Sequence, residues 1–164
     1  MTKALDGPLG NQAALALGSQ AHTLGEESGA GAVDTLLARY EAAKTSEERL
    51  VFIEALANTG SREALPVMYA AISGNDFTAA RAGTLGLRLI PGDDVDDTLF
   101  GLIAKGSSVT LDAIKAVGYR SPSMWEPRLE KIRAMYQGEN RVLEAIQAVL
   151  SQWASLKVAL PPGN

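Results

Sequence analysis

The chain has no cysteine, which removes disulfides, thiolate nucleophiles and cysteine-ligated zinc together. It has one histidine, His22, so a histidine-based triad or metal site would need its other groups from different residue types. A lone histidine beside an apolar helix reads as a surface or packing residue. Aromatics reach only 5%, and a core with so few large anchors must be assembled from small side chains, which suits helices that approach closely. No apolar run nears the roughly 20 residues that span a bilayer. The opening MTKALDGPLGNQAALALGSQAHTLG holds a short apolar stretch broken by Gly18, so neither a signal peptide nor a membrane span is expected. Positive charge is also short: 15 Lys and Arg stand against 19 Asp and Glu, for a net charge of −4. A nucleic-acid groove needs clustered cations to displace counterions from phosphates, so no nucleic acid is expected as a partner.

What is present is alanine, leucine and punctuation. With 164 residues and 46% apolar content the chain can bury a core, and its length suits one domain. From Ala32 onward, apolar residues recur at three- and four-residue spacing in blocks of ten to fifteen, as in Leu36, Leu37 and Tyr40 and then Leu50, Ile53 and Leu56, which predicts helices. Between the blocks stand turns such as Thr59-Gly60-Ser61, Ser73-Gly74-Asn75-Asp76, Pro91-Gly92-Asp93-Asp94 and Gln137-Gly138-Glu139-Asn140. Each supplies a glycine stop, a Ser, Asp or Asn start, or both. No convincing alternating strand is found.

The blocks repeat. Aligned on the second helix of each pair, Ala55-Leu56 falls on Gly86-Leu87, Ala116-Val117 and Ala148-Val149, at intervals of 31, 30 and 32 residues. Three residues earlier the columns read Phe52-Ile53, Gly83-Thr84, Ala113-Ile114 and Ala145-Ile146. Four helical hairpins are predicted, at 32–60, 62–91, 93–120 and 123–154, and such a period means a solenoid in which each hairpin buries its apolar face on its neighbours. The stretch EALANTGSREALPVMYAAISGND (Glu54–Asp76) is then a hairpin-to-hairpin joint. Gly60 lets the chain leave one helix in a left-handed conformation, Ser61 caps the next, and Pro66 falls in its first turns, where a missing N–H costs little. Gly92 is expected in a similar left-handed position, and Gly83 in a buried column where helices approach closely.

The unit ALPVMYAAISGNDFTAARAGTLGLRLI (Ala64–Ile90), with Asp76 in its inner turn and Arg81 five residues on, resembles the HEAT and HEAT-like repeats of the armadillo-type superfamily. The resemblance covers about Ala32 to Trp153 and implies an all-α fold, a right-handed α-α superhelix of about four hairpins. In that family the Asp and Arg tie neighbouring turns together. Here the counterparts of Arg81 are Leu50, Leu111 and Leu143, which puts a continuous ladder in doubt. The stretches Ala13–Leu24, Glu54–Ile72 and Gly86–Ile103, in that order, are also similar to the helical domain of vitellogenin-type large lipid-transfer proteins. That resemblance would make the chain the helical support of a larger lipid-carrying protein, without the family's β-sheets. It also makes the region before the repeats, 1–31, an N-terminal helix over Gln12–Leu24 followed by a flexible insertion over Gly25–Gly31. The repeats occupy 32–154, and 155–164 is read as a C-terminal tail.

Candidate chemistry is sparse. Asp93, Asp94, Asp96 and Asp97 form DDVDD, which could hold a hard cation through oxygen ligands, but the glycine and distal Glu of an EF-hand ladder do not follow. The simpler reading is that Asp93 or Asp94 caps a helix and the other acids favour its positive end. Ser107, Ser108, Thr45, Ser46 and Ser121 have no histidine or lysine partner at a recognisable spacing and look like caps. Trp125 and Trp153 flank the last hairpin, where large side chains would close the terminal core. No catalytic residue, cofactor or metal is expected.

The expected activity is therefore that of a non-enzymatic scaffold whose second helices offer a concave face to a protein partner or an adjacent domain. Most columns on that face are polar. The exception is an apolar strip, Ala82, Leu85 and Leu89, with Val51 and Tyr119 from the flanking repeats, which is the expected contact site. Alternatives are the lipid-protein support domain and an enzyme on a HEAT-like frame, either a phycobilin-type lyase or a base-excision glycosylase. The net negative charge opposes the glycosylase, and the position of DDVDD at a turn rather than mid-helix weakens the lyase.

Overall fold

In the computed structural model, residues 10–159 are described; the outer ends of the predicted 1–31 and 155–164 regions fall outside them. Every regular element among the described residues is helical. Eight α-helices follow one another: α1 (Gly10–Ala42), α2 (Ser46–Thr59), α3 (Leu65–Ser73), α4 (Phe77–Gly86), α5 (Asp93–Ala104), α6 (Thr110–Val117), α7 (Pro122–Met135) and α8 (Asn140–Ala159), with a short 3-10 turn over Arg62–Ala64 before α3. The chain divides into two compact units, one ending at Gly92 and the other beginning at Asp93.

In the first unit α1 is bent. Gly25 has φ 78° and ψ 179°, a conformation that essentially only glycine adopts, and separates an arm over 10–24 from one over 26–42. The expected flexible insertion at Gly25–Gly31 is thus corrected: one residue breaks the helix and Glu26 restarts it. The glycines of this stretch were misread because a glycine in a linker and a glycine under a helix contact look alike in sequence. Gly29 is buried, and a β-carbon there would come 2.6 Å from the Ala21 carbonyl oxygen, so it lets the second arm lie on the first. The predicted tail is corrected likewise, since α8 continues to Ala159.

Helix α1 packs on α2, α2 on α4, and α3 on both α2 and α4. The α2 start has a complete capping box: Thr45 Oγ1 accepts from the Glu48 amide at 3.1 Å, and the Glu48 carboxylate accepts from the Lys44 and Thr45 amides at 2.7 and 3.3 Å. Those two amides hold the Glu48 pKa below the ordinary carboxylate range. At its other end α2 closes on Gly60, left-handed at φ 67° and ψ 6°. Ser61 then caps the 3-10 turn, and Pro66 takes an early position in α3. Asp76 caps α4, its Oδ1 accepting from the Thr78 and Ala79 amides at 2.8 and 3.1 Å. Arg81 lies 5.8 Å over the Phe77 ring.

The second unit repeats the hairpin plan, with α5 on α6, α7 on α8, α6 on α8 and α5 on α7. Its core holds the large side chains: Trp125, Leu129, Ile132 and Trp153 are all buried. Two expected caps are corrected. The residue before α6 is Val109, with no side-chain cap, while Ser121 before α7 turns its hydroxyl to that of Ser123 at 2.9 Å. Most of the repeat columns bury as aligned: Ile53, Ala55, Leu56, Gly83, Thr84, Gly86, Leu87, Ala113, Ile114, Ala116, Val117, Ile146 and Val149 are inside, while Phe52 and Ala145 are half-buried and Ala148 is exposed.

Candidate functional site: a cleft at the first hairpin joint

Four pieces of the first unit converge on a cleft of about 300 Å³: the bend of α1, the end of α2, the Arg62–Ala64 turn, and the exit from α4 at Leu89–Pro91. Each is fixed by local chemistry. Gly60 ends α2, and the buried Thr59 hydroxyl donates to the Leu56 carbonyl at 2.6 Å while accepting from the Ser61 amide at 3.1 Å. Ser61 Oγ accepts from the Glu63 amide at 3.2 Å. Arg62 donates Nη1 to the Pro91 carbonyl at 2.6 Å, joining the start of the second hairpin to its exit.

His22 reaches the same place from α1, its Nδ1 lying 3.2 Å from the Thr59 carbonyl oxygen. A carbonyl can only accept, so Nδ1 carries the proton in this contact and the neutral ring keeps Nε2 as an acceptor. The cleft walls are Ala21, Ala30, Val33, Leu89 and Pro91, and its polar groups come from His22, Glu26, Ser61, Arg62 and Glu63. Small apolar walls with a few polar groups at fixed places suit recognition of a side chain or small ligand. Among the described residues, no group of three or more histidine or acidic side chains gathers in a way that could hold a metal ion.

The residues of the expected contact strip are only partly gathered. Val51 lies on α2, Ala82 and Leu85 on α4 and Leu89 in the turn beyond it; all four are half-buried, and α2 packs against α4. Leu89 is also a wall of the cleft. Tyr119 belongs to the second unit and is 66% exposed. Asp112, on α6 of the second unit, is buried. Of the structural positions, Gly60 is left-handed, and Gly92 has φ 137°, positive but far from the helical value; it precedes α5, because α4 has already ended at Gly86. Gly83 is buried, but its close neighbours are Met68, Ala71 and Ile72 of its own hairpin.

The acidic run that drew attention as a cation site has been divided by the fold. Asp96 turns inward in the second unit, where Oδ1 accepts from Trp125 Nε1 at 2.9 Å and lies 2.9 Å from Arg120 Nε, in an ion pair whose two side chains are each 9% exposed. Asp97 pairs with Arg128 at 3.2 Å nearer the surface. Sequence reasoning missed this network, although a signal existed: Asp96 stands three and seven residues before Leu99 and Ile103, on the face of α5 that those residues bury. The places of His22, Glu26 and Glu63 in the cleft were missed because His22 stands 37 residues from Thr59 and Glu26 stands 37 residues from Glu63, so no local signal joins them.

No family model matches the chain, and no curated protein or solved structure was found to match it.

Proposed function

We propose that the chain is a non-enzymatic helical-repeat binding module, its four hairpins forming one right-handed HEAT-like superhelix that receives a protein partner or an adjacent domain on its second helices. The observation that carries this reading is the repeat itself. Helices α2, α4, α6 and α8 begin at Ser46, Phe77, Thr110 and Asn140, 31, 33 and 30 residues apart. Inside each unit like helices touch, α2 with α4 and α6 with α8, as in a layered stack. A stack of this kind exposes one outer face of each second helix, and on the first unit that face carries Val51, Ala82 and Leu85 and leads by Leu89 into the cleft.

The test is affinity retention from an extract of the source cells, with the intact chain, Leu85→Glu, and Arg133→Gln as a control on the exposed side of α7. The expected result is a protein retained by the intact chain and the control but lost with Leu85→Glu, while the helical circular-dichroism signal and melting temperature of the variant hold. Retention by all three overturns the assignment of the surface. Loss of fold in Leu85→Glu would make that residue core; Tyr119→Glu then takes its place as the surface variant.

A further inference from the structure

We propose that the cleft at the first hairpin joint takes the basic side chain, lysine or arginine, of an extended segment of the partner; this rests on the binding-module reading above and gives it a chemical class. The size argues first. Small-molecule sites commonly span about 300–1,000 Å³, and this cleft, at about 300 Å³, is at the bottom of that range, enough for one long side chain. Its walls of alanine, valine, leucine and proline suit an aliphatic stem, which lysine and arginine both carry below a charged head.

Charge argues second. Glu26 and Glu63 both border the cleft, and neither carboxylate has a hydrogen bond or ion pair to another described residue. In its neutral form His22, with Nδ1 committed to the Thr59 carbonyl, has Nε2 left as an acceptor. The cation already present, Arg62, has Nη1 placed on the Pro91 carbonyl, so it fastens the joint. The C-terminal end of α2 opens here and carries partial negative charge. The positive end of the second arm of α1 opens here too, but its first residues are Glu26 and Glu27. Acceptors therefore exceed donors around an apolar slot, which selects a cation on a hydrocarbon stem over an anion or a neutral apolar group.

The experiment is an amide NMR titration of the 15N-labelled chain with N-acetyl-arginine amide and N-acetyl-lysine amide, against N-acetyl-norleucine amide and N-acetyl-glutamate amide. The expected result is saturable shifts at Gly25, Gly60 and Glu63 with the basic probes, and little change there with the other two. In the double variant Glu26→Gln with Glu63→Gln the basic probes should bind about fivefold more weakly, the effect of two solvent-screened charge pairs. Both positions are exposed, and an unchanged spectrum outside the cleft verifies that the fold is kept. Absence of saturable shifts at those amides, equal response to the glutamate probe, or unchanged affinity in the double variant would each overturn the proposal. A null here while Leu85→Glu still loses the partner removes the cleft alone. Probe binding with partner retention indifferent to Leu85→Glu keeps the cleft and removes the repeat-surface reading.

Discussion

The two units build the same hairpin plan from opposite materials. The first relies on small residues and on side-chain caps. A β-carbon at Gly18 would come 2.1 Å from the Ala55 carbonyl oxygen, one at Gly83 2.8 Å from the Met68 oxygen, and one at Gly86 2.9 Å from the Ala57 β-carbon, while Thr45, Ser61 and Asp76 close helix starts. The second relies on large aromatics whose polar ends are tied down inside: Trp125 to Asp96, Trp153 Nε1 to the Gly118 carbonyl at 3.2 Å, and the Tyr136 hydroxyl to the Ile103 carbonyl. Val109 and Ser121, before α6 and α7, give no side-chain cap. Hairpins that cross closely need no large filler, whereas wider ones need it and must then satisfy each indole or phenol that they bury. The first unit should therefore fail when atoms are added, and the second when atoms or polar partners are removed.

The largest expected effect is in the second unit. Asp96→Ala takes a carboxylate from Arg120 and an acceptor from the Trp125 indole, and loss of one partner of a buried ion pair costs about 3–5 kcal/mol. A urea melt should show it, and the drop should be much smaller in Asp97→Ala, whose side chain is 72% exposed. Equal costs at the two positions would remove the distinction between inward and outward acids. Next comes Gly83→Leu in the first unit, where overpacking should cost about 1–3 kcal/mol. If it were neutral, the close approach of α4 to α3 would not be the constraint claimed for it.

The hairpins were legible in sequence because helix periodicity and stop signals act within a few residues of each other, and the 31-residue spacing of Ala55-Leu56 and Gly86-Leu87 repeats that local signal. What could not be read depends on pairs far apart in the chain. The Asp96–Trp125 bond links residues 29 apart, and the His22–Thr59 contact spans 37. Nothing local to Asp96 distinguishes a helix-start acid from a buried one except its place on the apolar face. Gly25–Gly31 failed for the opposite reason: its local signal for a linker was strong, but contact between Gly29 and Ala21 outweighs the low helix propensity of two glycines. In the strip of Val51, Ala82, Leu85 and Leu89, the first three lie on α2 and α4 while Leu89 lies in the turn beyond α4, and the half-buried state of all four is a matter of packing between α2 and α4 that periodicity does not specify.

Glycines sharpen the comparison at smaller magnitude. Gly60→Ala forces φ 67° on a residue with a side chain and brings its β-carbon 2.8 Å from His22 Nδ1, so it should destabilise by about 1 kcal/mol or more. Gly101, inside α5 of the second unit, has nothing within 4 Å of a built β-carbon, and alanine there should stabilise by roughly 0.5–1 kcal/mol through helix propensity alone. Thermal melts that moved both variants in the same direction would show that the two units do not differ in their tolerance of added atoms.

The smallest effect concerns the capping style of the first unit and is read as a pH dependence. The amides of Lys44 and Thr45 donate to the Glu48 carboxylate and lower its pKa in the folded chain. A depressed folded pKa means that the ionised group contributes stability above the ordinary, unfolded carboxylate range, and that the contribution disappears as pH falls through the folded value. Glu48→Gln keeps an oxygen for the two amides but cannot ionise. The stability difference between the intact chain and Glu48→Gln should therefore be present at neutral pH and shrink as acidification carries the pH from the ordinary carboxylate range down through the lowered folded pKa. Melting temperatures of both proteins across that range measure it. Because Glu48 is exposed, added salt should diminish the neutral-pH difference as well. A gap that is the same at every pH would mean that the oxygen, not its charge, is what closes α2, and the capping contrast between the units would then rest on hydrogen-bond geometry alone.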